Sequence, residues 1–206
     1  MHQEALHDNT KIVWNKCSFL KDDFYLAGGT ALALQIGHRK SIDLDFFSDE
    51  SIKKTLLKKI EEEFDTTANV IVQTKNELTV KIIDVKVSFV HYPFPLLYEK
   101  INTDIVPLAN LKDIASMKAY ALGRRQSLKD YFDLYAILQK EFITLSQVIS
   151  DSNKKYEEAF NDRVFFEQLL FTEDLEDEAI DWIGSGVDKE KAKVYFITLV
   201  QSYKID

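Results

Sequence analysis

Hydrophobic positions along the first hundred residues switch repeatedly between a helical and a strand period. Ile12, Val13, Cys17 and Leu20 recur at helical spacing behind Asn9 or Thr10 as a cap, which predicts a helix over residues 10–21. Residues 24–27 form a short apolar strand ending at Gly28-Gly29, and residues 30–37 predict a helix closed by Gly37. Residues 41–47, "SIDLDFF", alternate as a strand does, and residues 50–64 predict a charged amphipathic helix. Three runs rich in β-branched residues follow, at 69–74, 77–83 and 85–90, with turns expected at Lys75-Asn76 and Asp84-Val85.

Beyond Pro107, the last of three prolines, the period is helical. Helices are predicted over residues 111–123, 127–140, 144–156, 161–171 and 188–203. The expected fold class is α+β, with a mixed β-sheet flanked by helices in an N-terminal lobe, residues 1–107, and an all-helical lobe, residues 108–206. The acidic run "TEDLEDEAIDW" reads as a solvated helix face or a loop.

Composition narrows the function classes. A hydrophobic content of 46% over 206 residues supports a sizeable core. The single cysteine, Cys17, excludes an intramolecular disulfide and reads as core. The N-terminus has no apolar segment of signal-peptide type, and no apolar run approaches the ~20 residues that span a bilayer. The expectation is a soluble cytoplasmic protein without membrane association. A net charge of −8 disfavours diffuse binding to a polyanion, so any nucleic-acid contact must use a local basic patch.

Chemistry concentrates in "GGTALALQIGHRKSIDLDFF", residues 28–47. Gly28 and Gly29 let backbone N–H groups approach a phosphate without a Cβ in the way, and the following helix points its positive end at the same place. Asp43 and Asp45, at i and i+2 on a strand, present both carboxylates to one side. Two such carboxylates repel unless a cation lies between them, and Mg²⁺ (or Mn²⁺) bridging to a substrate phosphate is the natural candidate. Arg39 and Lys40 stand just before them, within reach of triphosphate oxygens. A Gly-Gly turn or an aspartate pair alone is a weak signal, but this order and spacing favour a nucleotide site.

The same residues resemble the first motif of the AbiEii-type nucleotidyltransferases, bacterial toxins of the DNA polymerase β-like superfamily. Members show Gly-Gly/Ser, then His-Arg-x-Ser-x-Asp-x-Asp and an aromatic. Residues 113–138, "DIASMKAYALGRRQSLKDYFDLYAIL", are similar to the helical motifs of that family. The resemblance covers about residues 20–140. It implies a nucleotidyltransferase fold in the N-terminal lobe, with Gly28, Gly29, Thr30, Arg39 and Ser41 at the nucleotide, Asp43 and Asp45 on the metal, Lys118 on the triphosphate, and Asp130 and Asp133 in the acidic helical motif. It further implies transfer of an NMP from an NTP to an RNA such as tRNA or to a protein, in the toxin half of a toxin–antitoxin or phage-defence pair with a cognate antitoxin. For an RNA acceptor, Lys118, Arg124, Arg125 and Lys129 form the expected basic patch. From spacing alone, Asp130 and Asp133 serve equally well as caps or salt-bridge partners.

One departure bears on mechanism. Relatives of this fold commonly use a third carboxylate on a neighbouring strand, and here Ser88 stands where an aspartate is expected. Asp84 is four residues earlier, about 13 Å away along an extended strand. Either another group substitutes, with Asp130 the first choice, or the substrate hydroxyl needs no protein base. The alternative is a catalytically impaired nucleotide-binding or regulatory protein of the same fold, and a weaker rival is a helical interaction module. His38 serves equally well in the loop before the aspartates or as a structural residue, His91 reads as structural, no His or Cys cluster has zinc-ligand spacing, and Tyr131, Phe132 and Tyr135 read as core.

Overall fold

A computed structural model describes residues 1–122, 124–125, 127–173, 175 and 178–203 of the chain. Five strands form one mixed sheet: β1 (Tyr25–Ala27), β2 (Leu44–Ser48), β3 (Asn69–Gln73), β4 (Glu77–Ile82) and β5 (Val85–His91). Their order is β1-β2-β5-β4-β3, with the β2–β5 pair parallel and the others antiparallel. The parallel pair requires a crossover, which α3 (Leu56–Phe64), β3 and β4 supply between β2 and β5.

Alternation sets the core. Leu44 and Phe46 of β2, Val85, Val87 and Phe89 of β5, and Leu78, Val80 and Ile82 of β4 are all buried on one face. The rings of Phe24, Phe89, Phe46 and Trp14 follow one another there at 5.3, 5.3 and 6.4 Å between centroids. Trp14 belongs to α1 (Asp8–Asn15), and Ile60 and Phe64 of α3 are buried as well. The intervening residues Asp45 and Phe47, Lys86 and Ser88, and Glu77 and Thr79 occupy the second face.

The chain divides into two compact units, one of residues 1–95 and 99–110, the other of residues 96–98 and 111–206. In the second unit follow α4 (Leu111–Leu122), α5 (Leu128–Gln139), α6 (Leu145–Tyr156), α7 (Asp162–Leu170) and α8 (Lys189–Ser202). Tyr131 and Phe132 of α5 are buried, with ring centroids 4.8 Å from Phe196 and 5.1 Å from Trp182. Asp113 fixes the 96–98 segment: its carboxylate accepts the N–H groups of Leu97 and Tyr98 at 2.9 and 3.0 Å and the Lys155 ammonium at 2.5 Å.

Several boundaries differ from expectation. The first helix stops at Asn15 and passes into a 3₁₀ turn over Cys17–Leu20. The β4–β5 turn is Ile83-Asp84, both at positive φ, one residue earlier than expected. The third helix starts at Leu56 rather than residue 50, because Ile52 donates its N–H to the Lys75 carbonyl instead of entering a helix. Asp174, Glu176 and Asp177 of the acidic run lie outside the described residues, as do Gly123 and Gln126.

Candidate active site

Strand β1 ends at Ala27, and the chain turns directly into α2 (Gly28–Ile36). Gly28 makes that turn at φ +67°, a conformation L-residues rarely adopt. A Cβ on Gly28 would lie 3.2 Å from Asp45 Oδ2, so the carboxylate rests against the glycine backbone. The first-turn N–H groups of α2 have no intrahelical acceptor, and their partial positive charge is adjacent to that carboxylate. Gly37 closes α2 at φ +59°.

The segment leading into Asp43 is tied down at each step. Ser41 donates its N–H to the Ala5 carbonyl at 2.8 Å, and the Thr10 hydroxyl donates to the Ile42 carbonyl at 2.8 Å. The Thr30 hydroxyl donates to the Asp43 carbonyl and lies 2.7 Å from the Ser41 hydroxyl. Thr30 and Ser41 therefore connect the N-terminus of α2 to the aspartate strand, and both are buried. Arg39 is also buried, with Nη1 donating to the Lys40 carbonyl at 3.1 Å. Gly29 is half-buried.

Strand register places Asp45 between Ala27 of β1 and Ser88 of β5, and Ser88 beside Thr79 of β4. Ser88 thus stands on the strand next to Asp45, at the level of its carboxylate. Asp43 lies 3.5 Å from the ammonium of Lys86, also on β5. Among the described residues no group of three or more His, Cys, Asp or Glu side chains could hold a metal by itself. Two carboxylates are nevertheless a fitting donor set for Mg²⁺, which takes one or two from protein and the rest from phosphate and water. The absence of a Cβ at Gly28 is what lets the Asp45 carboxylate lie this close to the start of α2.

In the helical unit Lys118 of α4 is buried between two carboxylates of α5, 2.6 Å from Asp130 and 2.6 Å from Asp133. Arg125 completes the group with two bonds to Asp130, at 2.6 and 3.0 Å. Burial alone would depress the Lys118 pKa, but the charges of Asp133 and Asp130 outweigh it and hold it above its ordinary value. Burial likewise pushes Asp130 up, and Lys118 with Arg125 pulls it below the usual carboxylate range. The other expected basic residues are engaged too. Arg124 lies over the Tyr120 ring, 3.5 Å from its centroid, and Lys129 pairs with Glu178 at 2.7 Å. Cys17 is buried, its thiol pushed up to about 12 by desolvation.

A family model described as nucleotidyl transferase AbiEii toxin, type IV TA system, matches residues 13–192. The chain belongs to the AbiEii family. An uncharacterized protein of Aquifex aeolicus (strain VF5) is 36% identical over 164 residues, covering 78% of this chain and 79% of its own. The JHP933 protein of Helicobacter pylori has the same fold with a TM-score of 0.60 at 18% identity, covering 95% of this chain and 92% of its own. The nucleotidyltransferase toxin MenT4 of Mycobacterium tuberculosis has a TM-score of 0.61 at 14% identity, covering 98% and 88% respectively. The α+β fold is thus shared with a nucleotidyltransferase toxin. Among the described residues no helix is long and apolar enough to cross a membrane.

Sequence reasoning passes over Lys86. The signal was present, since Lys86 and Ser88 are i and i+2 on one strand and share a face. Only the β2–β5 register reveals that this face adjoins the aspartates of the AbiEii motif.

Proposed function

We propose that this chain transfers a nucleoside monophosphate from an NTP to an acceptor hydroxyl, with Asp43 and Asp45 at the centre of the site. The observation that carries the reading is the contact of the Asp45 carboxylate with the Gly28 backbone at the start of α2. A helix N-terminus opened by glycine suits a phosphate, and a carboxylate beside it suits a divalent cation shared with that phosphate. Asp43 and Asp45 would hold that cation, Mg²⁺ or Mn²⁺, which when bound offsets charge on the triphosphate and on the departing pyrophosphate.

The reaction asks little covalent chemistry of the protein. The acceptor oxygen attacks the α-phosphorus, the bond from that phosphorus to the bridging oxygen of the β-phosphate breaks, and pyrophosphate leaves with the bond's electrons. The N–H groups at Gly29 and Thr30 orient phosphate oxygens, so alignment and electrostatics supply most of the acceleration. The hydroxyl proton needs an acceptor, and Ser88 cannot be one at neutral pH. Asp130 as that base and Lys118 as a triphosphate contact belong to the same proposal, and each would have to act from within an ion cluster. The proposed acceptor is an RNA or a protein, and the proposed setting a toxin–antitoxin or phage-defence pair; the family description, a toxin of a type IV TA system, supports the toxin–antitoxin setting.

Ser88 favours a second reading, a nucleotide-binding regulator of the same fold that transfers nothing. Incubation with Mg²⁺, total RNA, and each NTP labelled at either the α- or the γ-phosphate separates the two. Nucleotidyl transfer puts α-label, and no γ-label, on RNA or protein. Metal-dependent NTP binding with no label on any acceptor would establish the regulator instead.

A further inference from the structure

We infer that Lys86 is the built-in counter-ion of the nucleotide site: it occupies Asp43 until a metal–NTP complex arrives, then turns to the triphosphate. The inference rests on the proposed NTP site and adds a residue and an order of events to it.

Three observations support it. First, the Lys86 ammonium lies 3.5 Å from Asp43 Oδ2, with side chains 50% and 39% exposed, so both can part and re-pair without unpacking the core. Second, Lys86 shares a face of β5 with Ser88, and Ser88 is in register with Asp45. The ammonium is therefore on the same face as both carboxylates. Third, the pairing sets up a competition at Asp43. A lone Mg²⁺ would meet the Lys86 ammonium on one of its two carboxylate donors, whereas a metal already bound to phosphates brings its remaining ligands with it. Once the metal takes Asp43, the displaced ammonium is next to the densest negative charge available, the triphosphate, where lysine acts as a point charge.

Mn²⁺ as a paramagnetic probe tests this directly on the full chain, with and without an α,β-methylene NTP analogue that cannot be transferred. The variants are Lys86→Met, which removes the charge at similar volume, and Lys86→Arg, which keeps it. Wild type is expected to bind Mn²⁺ weakly alone and much more tightly with the analogue. In Lys86→Met, Mn²⁺ alone should bind roughly three- to tenfold more tightly and the Mn²⁺–analogue complex weaken by a similar factor, while Lys86→Arg stays near wild type. The opposite signs matter, because a merely structural role would weaken both together. Lys86→Met binding Mn²⁺ and analogue as wild type does, or losing both, overturns the inference and leaves the NTP site standing. A wild-type protein that binds no Mn²⁺–analogue complex overturns the NTP site and the inference with it.

Discussion

Asp45 and Gly28 are so close that neither changes alone. Gly28→Ala places a methyl 3.2 Å from the carboxylate at a residue held at φ +67°. The left-handed backbone costs about 1–2 kcal/mol for an L-residue, and the carboxylate must also shift. Thermal denaturation should show that loss, while metal-dependent NTP binding falls further than stability does. Binding unchanged in a destabilised variant would mean the turn has no part in the site. At this scale the sequence was legible where chemistry is local. Gly28-Gly29 and Asp43-x-Asp45 could be read because neighbours in sequence set their geometry. Thr30 could be placed near a phosphate from sequence, but its bond to the Asp43 carbonyl depends on how α2 meets β2. The nearness of Lys86 to Asp43 depends in the same way on how β2 meets β5.

The helices show how one pattern can serve two ends. Asp130 and Asp133 are one turn apart on α5, a spacing that suits a catalytic pair or a salt bridge equally. Both flank a lysine buried to 5% exposure. Removing one partner from a buried pair leaves its charge uncompensated, so Lys118→Met should destabilise the protein by about 3–5 kcal/mol in a urea titration. A loss under about 1 kcal/mol would show that the pair is not structural. The signs of the pH dependence follow from the shifts. Asp130, held low, contributes stability above the ordinary carboxylate value of about 3.9, lost as pH falls through its folded value. Lys118, held high, contributes stability below about 10.4 that is lost as pH rises through its folded value. Melting temperatures over an acid series should fall less steeply in Asp130→Asn than in wild type, where an identical slope would remove Asp130 from the account. Element boundaries were readable where periodicity was undisturbed, as in α4 and α5. They failed at α3, where the backbone of Ile52 is bonded to Lys75, and at Ile83, whose positive φ no β-branched residue advertises.

For the whole molecule, an acidic chain that belongs to a nucleotidyltransferase toxin family has a particular electrostatic task. With a net charge of −8 it gains little from an RNA backbone in general, and the cations expected to form a patch, Lys118, Arg124, Arg125 and Lys129, have internal partners. Recognition of an RNA acceptor would then depend on shape and on the metal-bound nucleotide rather than on diffuse attraction. The fold class was legible because a strand-rich half and a helical half differ in hydrophobic period along the chain. The most direct test of the central claim is single-turnover transfer of α-labelled NMP by wild type and by Asp45→Asn, which keeps the shape beside Gly28 but removes the charge. With an unchanged melting temperature as the folding control, the account predicts that transfer falls by at least about 10²-fold in the variant. Transfer at a wild-type rate by a folded Asp45→Asn protein would contradict it.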